Sequence, residues 1–372
     1  MKENSNNPHF DEVFNDYKNS KDIDSVGKPI GSGAFGVVRD VKVKGKTYAG
    51  KLIMKENLEE EKLISELKGP NIVRINKICK PRVKYGQTYH LVIMEKALLR
   101  DLGKLNSYFH EHNLLKLIFV YPFEQTAEDT LLRFYTRQIV DGLEILNRKN
   151  YVHFDIKPEN ILIMTSLVLK LSDFSILKEV KESVENFKIP GGTYGFMTPE
   201  YYIGQKVNSE NAKKQDYFAL GATIFLLKYG FPLLKYKKYE DKKITSERIT
   251  DLLLRKINYI YSRKLDDKDF IHFLSDLIRS DLDDRLGFEE IYRNKWLNKN
   301  LDYINKVIND FGTDEEKLLI ELQKQDFFIQ KKEIYKAEIV KENKNVNFDK
   351  IEIENIEKKF KFKKKKVRML GE

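Results

Sequence analysis

The stretch VHFDIKPENIL, residues Val152–Leu162, decides the fold of this chain. It places three polar side chains, Asp155, Lys157 and Asn160, directly before or within the strand-like run NILIM. A second strand-like run, LVLKLSDF, follows and ends close to a further acid, Asp173. An isolated Asp or Asn usually has only a structural role. These stretches nevertheless bring an acid, a cation, an amide and a second acid close together in the chain.

A glycine motif lies upstream, Gly31-Ser32-Gly33-Ala34-Phe35-Gly36-Val37-Val38. Because glycine has no side chain, its backbone amide can approach a phosphate closely and the chain can make a tight turn between strands. Dinucleotide-binding folds use the same glycine spacing, but there a helix must follow the motif. Here the run VVRDVKVKGKTYAGKL predicts two strands joined by a Lys-Gly-Lys turn. The sequence therefore favours a hairpin over a dinucleotide site.

The second strand of this hairpin ends at Lys51, which places a lysine where it could reach bound phosphates from the sheet. A helical pattern follows at about Leu58–Lys68, and Glu60 shares the inward face of Leu63. Glu60 is therefore the predicted ion-pair partner of Lys51, with Glu59 as the nearer rival. In the alternative interpretation the whole acidic run at this helix start is solvated.

Together these motifs resemble the protein kinase family, over about 26–297. The resemblance implies a bilobed α+β fold and the cofactors ATP and Mg²⁺. Phosphoryl transfer needs a positioned hydroxyl and neutralised phosphate charge more than covalent help from the protein. By resemblance, Asp155 accepts the hydrogen bond and proton of the substrate hydroxyl, and Lys157 neutralises the γ-phosphate. Asn160 and Asp173 would hold the metal.

Two motifs resemble the serine/threonine branch of this family. Lys157 in DIKPEN is one, because tyrosine kinases usually place other residues there. The run GTYGFMTPE at 192–200 is similar to the substrate-docking segment of the family, and the resemblance gives Thr193 the role of bracing the catalytic aspartate. Asp216 in DYFALG resembles the helix aspartate that supports the catalytic loop. Arg285 resembles the arginine that pairs with the glutamate of the docking segment.

The run HLVIMEKALLRDL resembles the strand-to-hinge segment that receives adenine. The resemblance implies a hinge at about 95–101, with Met94 as gatekeeper, backbone hydrogen bonds from Glu95 and Ala97, and Asp101 near the ribose. The implied nucleotide-binding residues are Gly31, Ser32, Gly33, Gly36, Val38, Ala49, Lys51, Glu60, Met94, Glu95, Ala97, Asp101 and Leu162, with Val38, Ala49 and Leu162 around the base.

Several positions depart from the family pattern. Phe154 replaces the arginine that commonly precedes the catalytic aspartate, so the site cannot bind an activation-loop phosphate through that charge. Ser175 replaces a glycine, and a non-glycine residue resists positive φ, so we expect the metal motif to flip less freely. Thr198 stands where alanine is usual, and the connection from Lys51 to Glu60 is shorter than in most of the family.

Patterning along the chain predicts the domain boundaries. Residues 1–24, rich in Asn, Lys, Asp and Glu, predict a flexible lead-in. Residues 25–297 predict the kinase domain, with a β-rich N-lobe at about 25–94 and a mainly helical C-lobe at about 102–297. Residues 298–372 predict a charged extension, partly helical, with a Lys-rich end. The segment at 110–125 is interpreted as an insertion of unknown role.

Composition and charge limit which partners and which cellular compartment we expect. The net charge is +10, which would steer acidic partners. The tail KKFKFKKKKVR, residues Lys358–Arg368, leaves open a nuclear localisation signal, a patch for nucleic acid or anionic lipid, and a solvated end. No signal-peptide pattern or transmembrane run is visible, and the single cysteine, Cys79, excludes an intrachain disulfide. We therefore expect a cytoplasmic or nuclear protein, and the oligomeric state stays unknown.

The leading hypothesis is a serine/threonine protein kinase that transfers the γ-phosphate of ATP to hydroxyls of protein substrates. The main alternative, motivated by Phe154 and Ser175, is a pseudokinase that acts as a nucleotide-binding or scaffold module. A third option is a kinase-like fold that phosphorylates small molecules, and the docking segment argues against it. Phe154 also leads us to expect activity without phosphorylation between Asp173 and Glu200.

Overall fold

A computed structural model describes most of the chain as far as residue 299. The described residues are 8–33, 36–54, 58–97, 101–104, 126–164, 168–234, 245–263 and 266–299. All of them belong to the first of two compact units, Met1–Glu315, and the second unit is Glu316–Glu372. The predicted insertion at 110–125, the helical part of the C-terminal extension and its Lys-rich end lie outside the described residues.

The smaller lobe is an antiparallel sheet that carries one helix, as the sequence predicts. Its strands are β1 (Ser25–Gly33), β2 (Gly36–Val43), β3 (Lys46–Met54), β4 (Ile75–Ile78), β5 (Arg82–Lys84) and β6 (Gln87–Met94). The strand order is β1-β2-β3-β6-β4, and β5 pairs with β6. Helix α2 (Leu58–Glu66) connects β3 to β4. The glycine motif therefore joins two paired strands and not a strand and a helix.

The two faces of this sheet have different roles. Directly opposite residues of an antiparallel pair share a face, and side chains alternate along each strand. Val38 lies opposite Lys51, and Ala49 lies opposite Met94, so these four side chains share what we call the inner face. The other face, which we call the outer face, carries buried apolar residues. These include Val41, Leu52, Leu91 and Ile93.

A helix at the start of the described chain covers the outer face. Helix α1 spans Pro8–Asn19, within the region predicted to be a flexible lead-in. That prediction is wrong for this helix, because Val13, Phe14 and Tyr17 are all fully buried against the outer face. The three lie on one helical stripe, which is hidden in the sequence by the polar residues around it.

Tyr17 links α1 to the middle of the sheet. Its hydroxyl donates a hydrogen bond to the carbonyl oxygen of Tyr89 at 3.0 Å and accepts one from the backbone N–H of Leu91 at 3.2 Å. The hydroxyl thus satisfies two backbone groups of β6, the strand that leads into the hinge. Burial raises the pKa of Tyr17, so the hydroxyl keeps its proton as a donor.

Charged pairs surround this apolar contact. Arg39 of β2 reaches Asp11 of α1 at 2.5 Å, and its guanidinium lies over the ring of Phe14. Lys84 of β5 lies 3.2 Å from Asp16. The helix is therefore attached to the sheet by burial at its centre and by ion pairs at its margins, the latter worth about 0–1 kcal/mol each.

The larger lobe is mainly helical and completes the bilobed α+β fold. Its helices are α3 (Thr126–Asn147), α4 (Pro199–Ile203), α5 (Ser209–Tyr229), α6 (Ser246–Tyr261), α7 (Lys268–Leu277) and α8 (Phe288–Tyr292). Its short strands are β7 (Tyr151–Val152), β8 (Ile161–Ile163), β9 (Leu169–Leu171) and β10 (Lys178–Glu179), which form the pairs β7–β10 and β8–β9. Helix α5 is buried at the centre, between α3 and α7.

Tyr17→Phe removes the hydroxyl that bridges Tyr89 and Leu91 and keeps the ring. We expect the free energy of unfolding to fall by about 1–3 kcal/mol, because two buried backbone groups of β6 lose this partner. Chemical denaturation measures the change. The control is Tyr261→Phe, which alters an exposed tyrosine. Equal stabilities of the two variants would show that the buried hydroxyl does not support the sheet.

Candidate active site

Three side chains of the catalytic-loop stretch and the docking segment converge on one carboxylate, that of Asp155. Its Oδ1 accepts a hydrogen bond from the Thr193 hydroxyl at 2.6 Å. Its Oδ2 accepts from Lys157 Nζ at 2.6 Å and from Asn160 Nδ2 at 2.9 Å. Lys157 Nζ also donates to the Thr193 hydroxyl at 2.6 Å. Residues far apart in sequence therefore orient a single acid from three sides.

The surroundings of Asp155 keep it ionised. Burial alone would raise its pKa, but the adjacent Lys157 and the Thr193 hydroxyl outweigh burial and hold the pKa below its usual value. A carboxylate with a lowered pKa is a hydrogen-bond acceptor and a weak base. It can orient a hydroxyl in the ground state and take its proton once the hydroxyl becomes acidic during the reaction.

The backbone next to Asp155 is held by a second buried acid. Asp216 of α5 accepts hydrogen bonds from the backbone N–H groups of His153 at 2.7 Å and Phe154 at 2.8 Å. Burial raises the pKa of Asp216 to about 7, although both N–H donors act in the opposite direction. The support predicted for Asp216 by family resemblance thus has a direct geometric basis. Phe154 itself adopts the left-handed region, at φ 65°.

His153 connects the catalytic loop to the segment that contains Asp173. Its Nδ1 accepts from the backbone N–H of Asp155 at 3.3 Å, so Nε2 carries the proton and donates to the carbonyl of Ser172 at 3.1 Å. Its ring lies 5.0 Å from the buried ring of Phe174. Burial lowers the pKa of His153, which keeps the imidazole neutral.

Asp173 faces the lysine of the small lobe. Lys51 Nζ lies 3.5 Å from Asp173 Oδ1, across the space between the sheet and the catalytic loop. Asp173 has φ 56°, whereas Ser175 is not among the positive-φ residues of the described chain. The left-handed residue of this motif is thus Asp173, and the expectation that Ser175 makes the motif flip less freely stays a prediction.

The donors near Asp173 suit magnesium. Asn160 uses its amide nitrogen for Asp155, so its amide oxygen is the atom that can bind a metal. One carboxylate and one amide oxygen match the few protein ligands that Mg²⁺ needs when phosphates supply the rest. Within the described ranges, no group of three or more His, Cys, Asp or Glu side chains could hold a metal alone.

The predicted nucleotide-binding residues fall into three places. The first is the β1–β2 turn, where Gly31 pairs with Val38 and Gly33 with Gly36, and Ser32 lies between them. The second is the inner face, with Ala49, Lys51 and Met94. The third is below the sheet, where Asp101 forms an isolated bridge with Leu162 of β8.

Two further residues of this set, Glu60 and Glu95, lie outside these three places. Glu60 lies in α2, but its side chain falls outside the described residues, so its pairing with Lys51 stays a prediction. Glu95 begins the hinge, and its backbone N–H is bonded to the Arg74 carbonyl at 3.1 Å. The carbonyl of Glu95 and the backbone of Ala97 are the groups left to contact a base.

The side chain of Phe154 has a partner that sequence reasoning missed. It is buried and stacks on Phe187 of the activation segment, with ring centres 5.6 Å apart and an interplanar angle of 6°. Phe187 is in turn bridged to Val207 by two backbone hydrogen bonds of 2.7 and 3.0 Å. An apolar contact therefore stands where the family usually has a cation. Phe187 lies in the mostly polar run KESVENFK, which carries no sequence signal for this contact.

Thr198, the unusual residue of the docking segment, is explained by a buried neighbour. Its hydroxyl donates a hydrogen bond to the amide oxygen of Gln215 on α5. The amide nitrogen of Gln215 donates to Glu200 Oε2 at 3.2 Å, and Arg285 binds the same carboxylate at 2.9 Å through its other oxygen. The predicted ion pair of Glu200 and Arg285 is thus part of a larger polar network, fully buried.

Thr198→Val removes the donor from this network at nearly constant volume. The Gln215 amide oxygen would be left buried without this partner, and we expect a loss of about 1–3 kcal/mol in unfolding free energy. Thr47→Val, at an exposed site on β3, is the matched control. A Thr198→Val protein as stable as the control would mean that the network tolerates the missing hydrogen bond.

Sequence comparisons agree with this geometry. The bilobed fold and the loop around Asp155 define a kinase-type domain. The family model described as "Protein kinase domain" matches residues 25–297, so the chain belongs to the protein kinase family. Helix α1 lies before the matched region. Across the part of the chain that the structure describes, no helix has both the length and the apolarity to cross a membrane.

Curated relatives share modest identity with the chain. An Aurora kinase of Eremothecium gossypii is 28% identical over 210 residues, which cover 54% of this chain and 53% of the relative. The calcium/calmodulin-dependent protein kinase cmkA of Emericella nidulans is 26% identical over 295 residues, covering 74% and 63%. Death-associated protein kinase 2 of Mus musculus is 27% identical over 298 residues, covering 74% and 72%. The chain spans about half the length of the Aurora kinase.

Proposed function

We propose that this chain is an active serine/threonine protein kinase that transfers the γ-phosphate of ATP to hydroxyls of protein substrates. The observation that carries the proposal is the carboxylate of Asp155, which is ionised and oriented by Thr193, Lys157 and Asn160. A pseudokinase needs no such arrangement, because a binding module gains nothing from a positioned base.

In the proposed reaction, Asp155 accepts the hydrogen bond of the substrate hydroxyl and takes its proton as the oxygen attacks. Lys157 donates to both Asp155 and Thr193 and carries a positive charge to the place where phosphate charge develops. Asn160 and Asp173 would hold Mg²⁺, which neutralises phosphate charge when bound. Lys51, on the inner face of the sheet, would pair with the non-transferred phosphates.

The choice of serine and threonine over tyrosine rests on Lys157 and on the names of the relatives. Lys157 Nζ lies 2.6 Å from Asp155 Oδ2, and a lysine at this position resembles the serine/threonine branch of the family. Two relatives, from Kluyveromyces lactis and Kluyveromyces marxianus, are named serine/threonine-protein kinases. Protein substrates with Ser or Thr are therefore the proposed partners. The anionic partner of the Lys-rich tail stays a prediction.

Asp155→Asn and Asp173→Ala test the proposal by transfer of labelled phosphate from magnesium ATP to a generic protein substrate. We expect Asp155→Asn to lower the rate by about 10²–10⁴-fold, the range for loss of a general base. Asp173→Ala should abolish transfer that depends on magnesium. Asp251→Asn, an exposed position on α6, is the matched control and should retain the parent rate.

The pseudokinase alternative makes a different prediction for the same proteins. It requires that ATP stabilise the parent against heat while neither the parent nor the variants transfer phosphate. Equal labelling by parent and variants would also contradict the proposal, because the label would then come from a contaminating kinase.

The stack of Phe154 on Phe187 supports activity without phosphorylation of the activation segment. Phe187→Ala should lower kcat/KM by about threefold to tenfold, because an aromatic pair is worth about 1 kcal/mol. Lys188→Ala, at the exposed neighbour, should have no effect. Phosphatase treatment of the parent should leave most of the activity. A large loss after dephosphorylation would show that a phosphate, and not the stack, holds the segment.

A further inference from the structure

Two consecutive residues at the start of the predicted hinge carry opposite charges, and their ion-pair partners belong to different lobes. Glu95 Oε1 accepts a hydrogen bond from Lys170 Nζ at 2.7 Å, and Lys170 lies on β9 of the larger lobe. The same oxygen accepts from the backbone N–H of Arg74 at 2.6 Å. Only 15% of the Glu95 side chain and 14% of the Lys170 side chain are exposed, so this pair is largely shielded from water.

Lys96 makes the complementary contact to the smaller lobe. Its Nζ lies 2.9 Å from Asp40 Oδ1 on β2. Asp40 lies directly opposite Ala49, so its carboxylate is on the inner face of the sheet, beside the predicted adenine contacts. Gly27 of β1 leaves room for it, because a Cβ at that position would come within 2.9 Å of the Asp40 Cβ.

We propose that these two ion pairs, Glu95–Lys170 and Lys96–Asp40, hold the hinge between the lobes in the geometry that binds the adenine of ATP, and so set nucleotide affinity. The proposal rests on the proposed function, since it assigns positioning residues to the same nucleotide site. None of the four side chains needs to touch the base. They act through the hinge backbone.

The physical argument is preorganisation. The backbone of Glu95 and Ala97 offers the predicted hydrogen bonds to adenine, and these are formed only when the hinge has one conformation. The Glu95 side chain is held by Lys170 of the larger lobe and by the Arg74 backbone, and the Lys96 side chain is held by Asp40. Both contacts restrict the peptide that joins Glu95 to Lys96. Restricting a binding segment before the ligand arrives reduces the ordering cost of binding. Loss of either ion pair would make ATP binding less favourable, because the hinge would then have to be ordered when the nucleotide binds.

The pairs also connect parts that would otherwise move relative to each other. Lys170 lies opposite Leu162, the predicted residue under the base, on the β8–β9 hairpin. Asp40 belongs to the same β2 strand as Val38, the predicted residue above the base. The hinge is therefore attached to both elements that would enclose the adenine ring. A change in either ion pair should affect the nucleotide before it affects the hydroxyl substrate.

The experiment measures ATP binding and steady-state kinetics for Lys96→Met, Lys170→Met, Asp40→Asn and the double variant Lys96→Met with Asp40→Asn. Methionine keeps the length of lysine and removes its charge. We expect the Kd for ATP and the KM for ATP to rise by about threefold to tenfold in each single variant, with a much smaller change in kcat. The Kd and KM for ATP of the double variant should be no higher than those of the single variant that binds ATP more weakly. The reason is that the second change removes a group that has already lost its partner.

Arg255→Met is the control, since it removes an exposed ion pair with Asp251 on α6. It should leave both constants as in the parent. Binding is also measured in the Asp155→Asn background, where the signal does not depend on transfer. If the parent binds ATP and the hinge variants bind it equally well or more tightly, the ion pairs do not position the hinge. If their kcat falls with KM unchanged, the proposal is also overturned. Absence of ATP binding by the parent would overturn this proposal together with the proposed function.

Discussion

The two hydrogen bonds from the backbone of His153 and Phe154 to Asp216 are the interaction on which the active site depends. Phe154 is left-handed, a conformation that costs a bulky residue about 1–3 kcal/mol and persists only where surrounding groups enforce it. The buried acid supplies two acceptors at the required positions. The next residue, Asp155, is then directed away from α5 towards Lys157 and Thr193.

The same strained residue acts on the other side through its ring. Because the backbone of Phe154 is fixed by Asp216, its side chain is presented in one direction, onto Phe187. Val152, Val180 and Ile189 close the apolar cluster around the pair. The catalytic loop and the activation segment are thus parts of one small core. An apolar contact thus joins the two segments at the position where the family usually has a cation.

Local motifs and the family resemblance that they carry were sufficient to predict which residues meet around Asp155, because each motif has its own spacing. The hairpin that follows the glycine motif and the polar residues from Asp155 to Asn160 could be predicted without knowing any long-range contact. The ring of Phe187 and the amide of Gln215 could not, since their partners are far away in sequence. The effect of Ser175 on flipping of the metal motif stays a prediction, because it concerns a second conformation of the motif. Residues 1–24 were predicted to be flexible because their composition is mostly polar. The few apolar residues of α1 form one stripe that composition does not reveal.

Helix α1 changes where the folded domain begins. The family match starts at residue 25, but α1 is the element that shields the outer face of β3 and β6 from water. A fragment cut at the family boundary would expose Leu52 and Leu91 to water, on the two strands that carry Lys51 and Met94. If such a fragment were inactive, the cause would be the exposed apolar surface of its sheet and not a lack of catalytic residues. In this chain the helix and the sheet that it covers are therefore one unit of folding.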